Sequence, residues 1–333
     1  MEFFNSHNRL YFSAFLLFVL LTLFVAILPA LYNQSNNLPL SNAEPLSESA
    51  FRGKQLFISN GCVACHTQQV RSVEMDKTWG DRPGISADYA DIHRTSAWVN
   101  TATLMGTERT GPDLTNIGLR QPSIDWHLLH LYDPRAVVNK SIMPRYPWLF
   151  KETRVVSKND IVVKVPDSLK PDPSIKIVAT QQALDLFAYL SSLKQTKLYA
   201  ISPQPFLYSK GNSKDFGEKA KGPDGKILYS ANCQACHQSS GEGLPGAFPP
   251  LKGSPIVAGE NLELYVDIIM NGYDAREEYG VMPPVGTNAK FSEKEVTAII
   301  NHERSSWGNK AKPVDEAQIK KVMETVAANK LKK

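Results

Sequence analysis

Four cysteines in the 333-residue chain fall into two pairs, and a histidine follows each pair directly. In a Cys-x-x-Cys-His motif both thiols can add to the vinyl groups of a haem, while the adjacent imidazole ligates the iron. The spacing therefore predicts two covalently bound haem c groups, each with the histidine as an axial ligand. The residues concerned are Cys62, Cys65 and His66 for the first haem, and Cys233, Cys236 and His237 for the second.

Cysteine pairs of this spacing also occur in zinc sites and in redox dithiols. Zinc usually takes four Cys or His ligands, and neither pair is accompanied by a second Cys pair or by a close His pair. A zinc site joining both pairs would leave the two following histidines unexplained, and a redox dithiol needs no histidine there. We therefore interpret both motifs as haem attachment sites.

Methionines at matching places after the two motifs are the candidates for the second axial position. Met143 lies in Ser-Ile-Met-Pro and Met282 in Gly-Val-Met-Pro, so we predict that they ligate the first and second haem iron. A thioether opposite histidine raises the reduction potential, which suits an electron carrier. Met75 and Met105 are the alternatives for the first haem. Met270 lies in an apolar helical stretch and is interpreted as a core residue.

Two prolines and two histidines could support these sites. Pro112 and Pro249 are predicted to accept, through their carbonyl oxygens, a hydrogen bond from the free ring nitrogen of the haem histidine, which would fix the ring. Simple turn prolines are the alternative. His127 and His130 are three residues apart and could share one helix face as metal ligands. Buried structural histidines are commoner, so the role of this pair stays open.

An internal repeat gives the fold class. Each haem motif is followed by a Pro-x-Leu element, a Met-Pro pair and an amphipathic segment, which predicts a mainly α-helical protein with two cytochrome c-like domains. The final helices are expected over 181–193, opened by Thr180, and over 293–307, where Ser292 and Glu295 fit a capping box. Residues 154–177 predict a small β-like insertion.

An uncharged apolar run at residues 10–32 is long enough to span about 30 Å of hydrocarbon as a helix. A signal peptide is the rival interpretation, but its apolar region is usually only about 7–15 residues long. Haem attachment in bacteria takes place outside the cytoplasmic membrane, so both haem domains are expected on the periplasmic side. The predicted order is a cytoplasmic segment (1–9), a transmembrane helix (10–32), a tether (33–50), cytochrome c domain 1 (51–195), a linker (196–222), cytochrome c domain 2 (223–308) and a charged tail (309–333).

The charge balance is nearly even, with 37 Lys and Arg against 33 Asp and Glu, so it does not point to nucleic acid. The two repeats differ mainly in an insertion at residues 68–109 of the first. Long insertions in compact domains are often functional surfaces. Because this one carries Trp79, Tyr89 and Trp98, we expect a docking surface for a partner subunit.

The stretch from residue 51 to 150, with the N-terminal helix, resembles the membrane-anchored cytochrome c subunit of cbb3-type oxidases, the CcoO or FixO family. The motifs that carry the resemblance are Gly61-Cys-Val-Ala-Cys-His-Thr-Gln-Gln-Val-Arg71, Arg109-Thr-Gly-Pro-Asp-Leu114, Asn116-Ile-Gly-Leu-Arg120, Trp126-His127, His130-Leu, Asp133-Pro-Arg135 and Ser141-Ile-Met-Pro-Arg-Tyr-Pro-Trp148. The resemblance implies one covalent haem with His66 and Met143 as ligands, and a transmembrane helix packed on a catalytic subunit. Residues 222–308 resemble the small cytochrome c domains fused to many respiratory subunits.

The expected function is that of a dihaem electron-transfer subunit of a cbb3-type terminal oxidase. It would take electrons from a cytochrome c donor and pass them to the catalytic haem-copper subunit, which reduces oxygen to water. One alternative is the cytochrome c subunit of a nitric oxide reductase, which shares the anchor and haem layout. Another is a dihaem cytochrome c peroxidase, although that enzyme needs an open iron position and each haem here has a candidate methionine. A free-standing tethered shuttle is the third alternative.

Overall fold

The computed structural model of the chain describes residues 5–36, 40–89, 104–170, 172–198, 206 and 223–330. Helices dominate these residues, and the strands form one two-stranded sheet. The predicted mainly α-helical fold is therefore confirmed. Trp98 and most of the predicted linker at 196–222 lie outside the described residues.

The N-terminal helix is predominantly apolar between residues 10 and 32. It comprises α1 (His7–Leu21), a π-helical stretch (Thr22–Ile27) and α2 (Leu28–Asn36). Large apolar side chains such as Phe18, 71% exposed, cover its surface instead of being buried in a protein core. By length and composition the stretch from His7 to Asn33 can cross a membrane, as the sequence predicted.

The chain divides into two compact units. The first contains residues 1–47, 61–115 and 195–209, and the second contains residues 48–60, 116–194 and 210–333. In the first unit, short 3-10 helices at Cys62–Ala64, Glu74–Thr78 and Ser86–Tyr89 carry the first haem motif and the start of the insertion.

A helix crossing lies at the centre of the first half of the second unit. Helix α3 (Glu48–Ser59) packs on the later helix Gln181–Ser192, which Thr180 caps by accepting from the Ala183 amide, as predicted. A Cβ at Gly53 would lie 1.9 Å from the Asp185 carbonyl oxygen, so only glycine permits this close approach. The other helices here are α4 (Ile117–Arg120), α5 (Ile124–Tyr132) and α6 (Pro134–Val137). The later helix Gln181–Ser192 is therefore named α7.

The predicted β-like insertion is a small antiparallel sheet. Strand β1 (Phe150–Thr153) pairs with β2 (Lys176–Ala179), and Phe150 lies opposite Ala179. The chain between the strands turns where the Asp160 amide donates to the Ser157 carbonyl oxygen at 3.0 Å.

The second half of this unit repeats the helix crossing. A Cβ at Gly225, the first residue of α8, would lie 2.0 Å from the Ala298 carbonyl oxygen of α13. The predicted capping box of Ser292 and Glu295 is confirmed at the start of α13. The helices are α8 (Gly225–Asn232), α9 (Gln234–His237), α10 (Pro255–Ala258), α11 (Leu262–Asn271), α12 (Val285–Ala289), α13 (Glu293–Ser305) and α14 (Glu316–Lys330).

Helix α14 gives structure to the segment that the sequence assigned to a charged tail. Ile319 is fully buried and Val326 is 4% exposed, and both join the apolar core that contains Val266 of α11 and Ile300 of α13. Their spacing of seven residues puts both on one helix face, and Lys320, Lys321 and Glu324 are exposed to solvent.

Candidate haem sites

The first haem motif begins where α3 has ended. Gly61 adopts φ +71°, a left-handed conformation that glycine favours, and the 3-10 turn Cys62–Ala64 follows. The His66 amide donates to the Cys62 carbonyl oxygen at 3.0 Å, which closes the motif into one compact turn. Cys62 is buried and Cys65 is exposed.

The His66 ring is oriented by a backbone carbonyl. Its Nδ1 lies 2.8 Å from the Pro112 carbonyl oxygen, so the predicted role of Pro112 is confirmed. When Nδ1–H donates to this carbonyl, Nε2 keeps the lone pair that iron requires. Burial lowers the pKa of His66, which favours the neutral ring. A Cβ at Gly111 would lie 2.3 Å from the ring carbon Cε1, so this glycine lets the chain approach the imidazole.

Buried charges hold the chain that leaves the first motif. Asp76 is completely buried and accepts from Arg71 Nη2 at 2.9 Å and from Arg109 Nη1 at 2.6 Å. The Arg109 Nε donates to Thr67 Oγ1 at 2.8 Å, and Asp113 Oδ2 accepts from the same hydroxyl at 2.6 Å. Although burial opposes ionisation, these arginines hold the pKa of Asp76 far below its usual value. The two ends of the insertion are thereby joined beside the haem motif.

The second haem motif has the same local geometry. Cys233 ends α8, and α9 carries the remaining residues of the motif up to His237. The His237 Nδ1 lies 2.9 Å from the Pro249 carbonyl oxygen, so the predicted role of Pro249 is also confirmed. Burial lowers the pKa of His237 and favours the neutral, ligating form.

A cavity beside the second motif brings together the candidate iron ligands of the second haem. Both His237 and Met282 line it, together with Cys233 and with apolar side chains that include Ile269 and Phe291. The methionine loop is fixed by a pair of bonds, because Met282 and Tyr273 exchange both backbone hydrogen bonds at 2.9 Å. An apolar cavity with a thioether and an imidazole fits a haem c group.

Glu303 is a buried carboxylic acid in the wall of this cavity. It accepts a short hydrogen bond from the Tyr265 hydroxyl. Burial raises the pKa of Glu303 to about 7, and the bond from Tyr265 offsets only part of that rise. Glu303 is therefore poised to gain or lose a proton near neutral pH.

The methionine candidates for the first haem are distributed over both compact units. Met143 belongs to the second unit, where its amide donates to Ser141 Oγ at 3.2 Å. Met75 and Met105 belong to the first unit and are 74% and 36% exposed. Ligation of the first haem by Met143 stays a prediction. Met270 packs against the apolar core of the second unit, in line with its interpretation as a core residue.

His127 and His130 have different surroundings on α5. The buried His127 places Nε2 2.8 Å from the Gln121 carbonyl oxygen, and burial lowers its pKa to about 4. His130 stacks on Trp126 with ring centroids 4.5 Å apart. The hydrogen bond to Gln121 gives His127 a structural role that requires no metal.

Two features of these sites were not anticipated from the sequence. Gly53 and Gly225 make the helix crossings possible. Each glycine is followed by a lysine, and Gly53 lies nine residues and Gly225 eight residues before the first cysteine of its motif. This similar placement was a sequence signal that could have identified them. The second feature is that Gln121 and its neighbours line a smaller cavity, which shares Cys233, His237 and Met282 with the haem cavity, and no local sequence pattern predicts it.

Comparison with known families gives two matches, one for each part of the chain that carries a haem motif. Residues 2–192 match the family described as cytochrome C oxidase, mono-heme subunit/FixO. Residues 220–302 match the family described as cytochrome C oxidase, cbb3-type, subunit III.

Individual relatives are also cytochromes c. The chain is 32% identical over 156 residues to the cytochrome c subunit of the quinone alcohol dehydrogenase of Gluconacetobacter polyoxogenes, covering 43% of this chain but only 32% of the relative. It is 34% identical over 110 residues to cytochrome c-552 of Thermus thermophilus, covering 30% of this chain and 83% of the relative. The chain thus spans about a third of the dehydrogenase subunit and most of the small cytochrome.

Proposed function

Because the chain belongs to the FixO family and is a c-type cytochrome that transfers electrons, we propose that it serves a cbb3-type terminal oxidase as a dihaem subunit. In this role it takes electrons from a cytochrome c donor and passes them to the haem-copper subunit that reduces oxygen. The observation that carries the proposal is the FixO match over residues 2–192, joined in one chain to a second cbb3-type cytochrome match over 220–302.

Each proposed site uses the protein to fix and shield one haem, which supplies reversible one-electron transfer when bound. The cysteine pairs attach the haem, and the carbonyl oxygens of Pro112 and Pro249 orient the ligating histidines. Met282 faces the second site, and we propose Met143 for the first. Apolar walls and thioether ligation favour ferrous iron and raise the potential, as a donor to an oxidase requires.

The exposed apolar helix at His7–Asn33 anchors the protein in a membrane. We propose a single crossing with both haem domains on the periplasmic side, because covalent haem attachment takes place there in bacteria. Arg9 lies in the first turn of this helix, before the apolar run, and favours the cytoplasmic side for the N-terminus.

We propose that the insertion of the first repeat contacts the catalytic subunit. Its described part is held in place: buried Arg82 pairs with Asp88 and donates to the Thr196 carbonyl oxygen at 3.0 Å, and Gln195 Oε1 accepts from the Asp81 amide at 2.9 Å. A surface fixed in this way loses little conformational entropy on binding. Met75, 74% exposed, offers an apolar contact there.

Isolation of the native complex with a metal and haem inventory tests the proposal. We expect the chain to co-purify with a haem-copper subunit, to contain two covalent haems, and to be reduced before that subunit when a cytochrome c donor is added. Co-purification with a catalytic subunit that lacks copper would indicate the nitric oxide reductase alternative. A chain that purifies alone from mild detergent would contradict the oxidase assignment.

The similarity to the quinone alcohol dehydrogenase subunit favours a second candidate, a cytochrome that accepts electrons from a membrane-bound dehydrogenase. The two functions predict different partner proteins, a haem-copper oxidase subunit for the first and a dehydrogenase subunit for the second. A dehydrogenase subunit in the purified complex, with reduction of the haems by an alcohol, would support the second candidate.

A further inference from the structure

Two loops of the second haem site are bonded to one short segment of the FixO-matched part. The indole Nε1 of Trp126 donates to the Ala235 carbonyl oxygen at 3.0 Å, and the Val281 amide donates to Asp125 Oδ2 at 3.0 Å. Ala235 lies between the two attachment cysteines, and Val281 directly precedes Met282. Segment and loops belong to the same compact unit.

The same segment lines a second, smaller cavity, which shares Cys233, His237 and Met282 with the haem cavity. The residues from the FixO-matched part that line this second cavity are Arg120, Gln121 and Pro122. The side-chain Nε2 of Gln121 lies 3.9 Å from Cys236 Sγ. A Cβ at Gly280 would lie 2.8 Å from Asp125 Oδ2, so the methionine loop passes directly over the carboxylate. Removal of the segment would leave this side of the cavity open.

Helix α5 orients the side chains of Asp125 and Trp126, which contact the second haem site. Ser123 caps the helix by accepting from the Trp126 amide at 3.2 Å, which places Asp125 in the first turn. The Trp126 indole stacks on the His130 ring at an angle of 13°. Stacking of this kind holds an aromatic ring in one orientation, so the indole N–H is already directed when Ala235 accepts from it.

Further bonds extend the contact on both sides. Gln238 Nε2 donates to the Val137 carbonyl oxygen at 3.4 Å, and the Lys164 ammonium donates to the Glu277 carbonyl oxygen. These bonds hold the second haem domain on the FixO-matched part, although a linker is predicted between the two at residues 196–222.

We infer that Asp125 and Trp126 are positioning residues of the second haem site. Trp126 holds the attachment loop and Asp125 holds the methionine loop. Together they set the distance between His237 and Met282, the two candidate ligands of the iron. Ligation of the second haem thus depends on a segment of the FixO-matched part. The inference rests on the proposed second haem, and the experiment below separates failure of the one from failure of the other.

The test uses the full-length chain in detergent. A Cys233→Ser/Cys236→Ser variant should reduce the haem content from two to one and so identify the midpoint that belongs to the second haem. A content of one haem in the unaltered chain would overturn the proposed second haem and this inference with it. A content of two haems supports the proposed second haem, and the measurements below then test the positioning roles.

For Asp125, the measurement is the absorption band that arises when methionine ligates ferric iron. In Asp125→Ala the second haem should no longer contribute to this absorption band. In Asp125→Asn, which keeps an oxygen for the Val281 amide, that contribution should remain. Hydrogen exchange of the Val281 amide should be about fivefold faster in Asp125→Ala, because one hydrogen bond is lost. Asp172→Ala, which removes another acceptor of backbone amides, is the matched control. An unchanged band and unchanged exchange in Asp125→Ala would overturn the role of Asp125.

For Trp126, the measurement is the midpoint potential of the second haem. Trp126→Phe keeps an aromatic ring but removes the N–H donor, so the second midpoint should fall while the first is unchanged. Trp148→Phe is the control, because Trp148 is exposed and donates through the same ring nitrogen to Asn60 at 3.0 Å. Two unmoved midpoints in Trp126→Phe would overturn the role of Trp126.

Discussion

The buried acid in the second haem cavity makes stability depend on pH. Glu303 is 4% exposed, and its pKa lies at about 7 in the folded chain against an ordinary value of 4.5. The folded state therefore binds this proton more tightly than the unfolded state does. Its contribution to the free energy of unfolding is complete below pH 4.5, falls as the pH rises to about 7, and is absent above that.

The size of the effect follows from the two pKa values. One pKa unit corresponds to about 1.4 kcal/mol, so the difference between 4.5 and about 7 is worth about 3 kcal/mol. Glu303→Gln keeps an oxygen that can accept from the Tyr265 hydroxyl but carries no titrating proton. At pH 8 the variant should be more stable than the unaltered chain by up to about 3 kcal/mol, and at pH 4.5 the two should differ little.

Urea unfolding of the full-length chain, followed by circular dichroism at pH 5 and pH 8, measures the difference. Glu316→Gln is the control, because Glu316 is exposed at the start of α14. The reasoning fails if the unaltered chain and Glu303→Gln lose the same stability between the two pH values. It also fails if the control flattens the pH dependence as strongly as Glu303→Gln does.

Four other perturbations have definite expected outcomes. Met143→Ala should leave covalent haem in place and lower one midpoint in a redox titration, since attachment depends on the cysteines; two unchanged midpoints would exclude this ligand. Asp76→Asn should destabilise the fold by about 3–5 kcal/mol in urea unfolding, because Arg71 and Arg109 lose the buried charge that they share and only Asp113 still pairs with Arg109, and a loss below about 1 kcal/mol would contradict that reasoning. We predict that the second haem accepts electrons first, so removing everything after Tyr208 should slow reduction of the membrane-bound complex by a soluble cytochrome c in rapid mixing; an equal rate would refute this order of transfer. Trp79→Ala should weaken co-purification with the catalytic subunit at unchanged haem content, whereas an intact complex would assign the insertion another role.

Local chemistry explains which parts of the sites were predictable. The haem motifs, the two prolines and the capping residues each act within a short stretch or through the backbone, so residue type and spacing carry the information. Thr180 and Ser292 accept from amides three residues ahead, as their position before an amphipathic run predicted. The repeat then extended this information from one domain to the other.

Other parts needed the folded chain because they join distant residues. Trp126 reaches Ala235 across 109 positions, and Asp125 reaches Val281 across 156. Neither residue type nor local spacing encodes such a pairing, since many surface tryptophans and aspartates look the same in sequence. The pKa of Glu303 likewise depends on the surfaces that bury it, whereas the helical pattern around it only places it on α13.

The amino-acid sequence by itself predicts the covalent haem sites, and it determined the helical class, the apolar N-terminal helix and the resemblance to the FixO family. Each of these is written in contiguous residues or in a repeat of them. Only the tertiary structure decided that the second haem site shares a wall with the FixO-matched part, and that α14 closes the core of the second domain. Those features arise from packing between separate segments, where shape, burial and hydrogen-bond geometry select the partners.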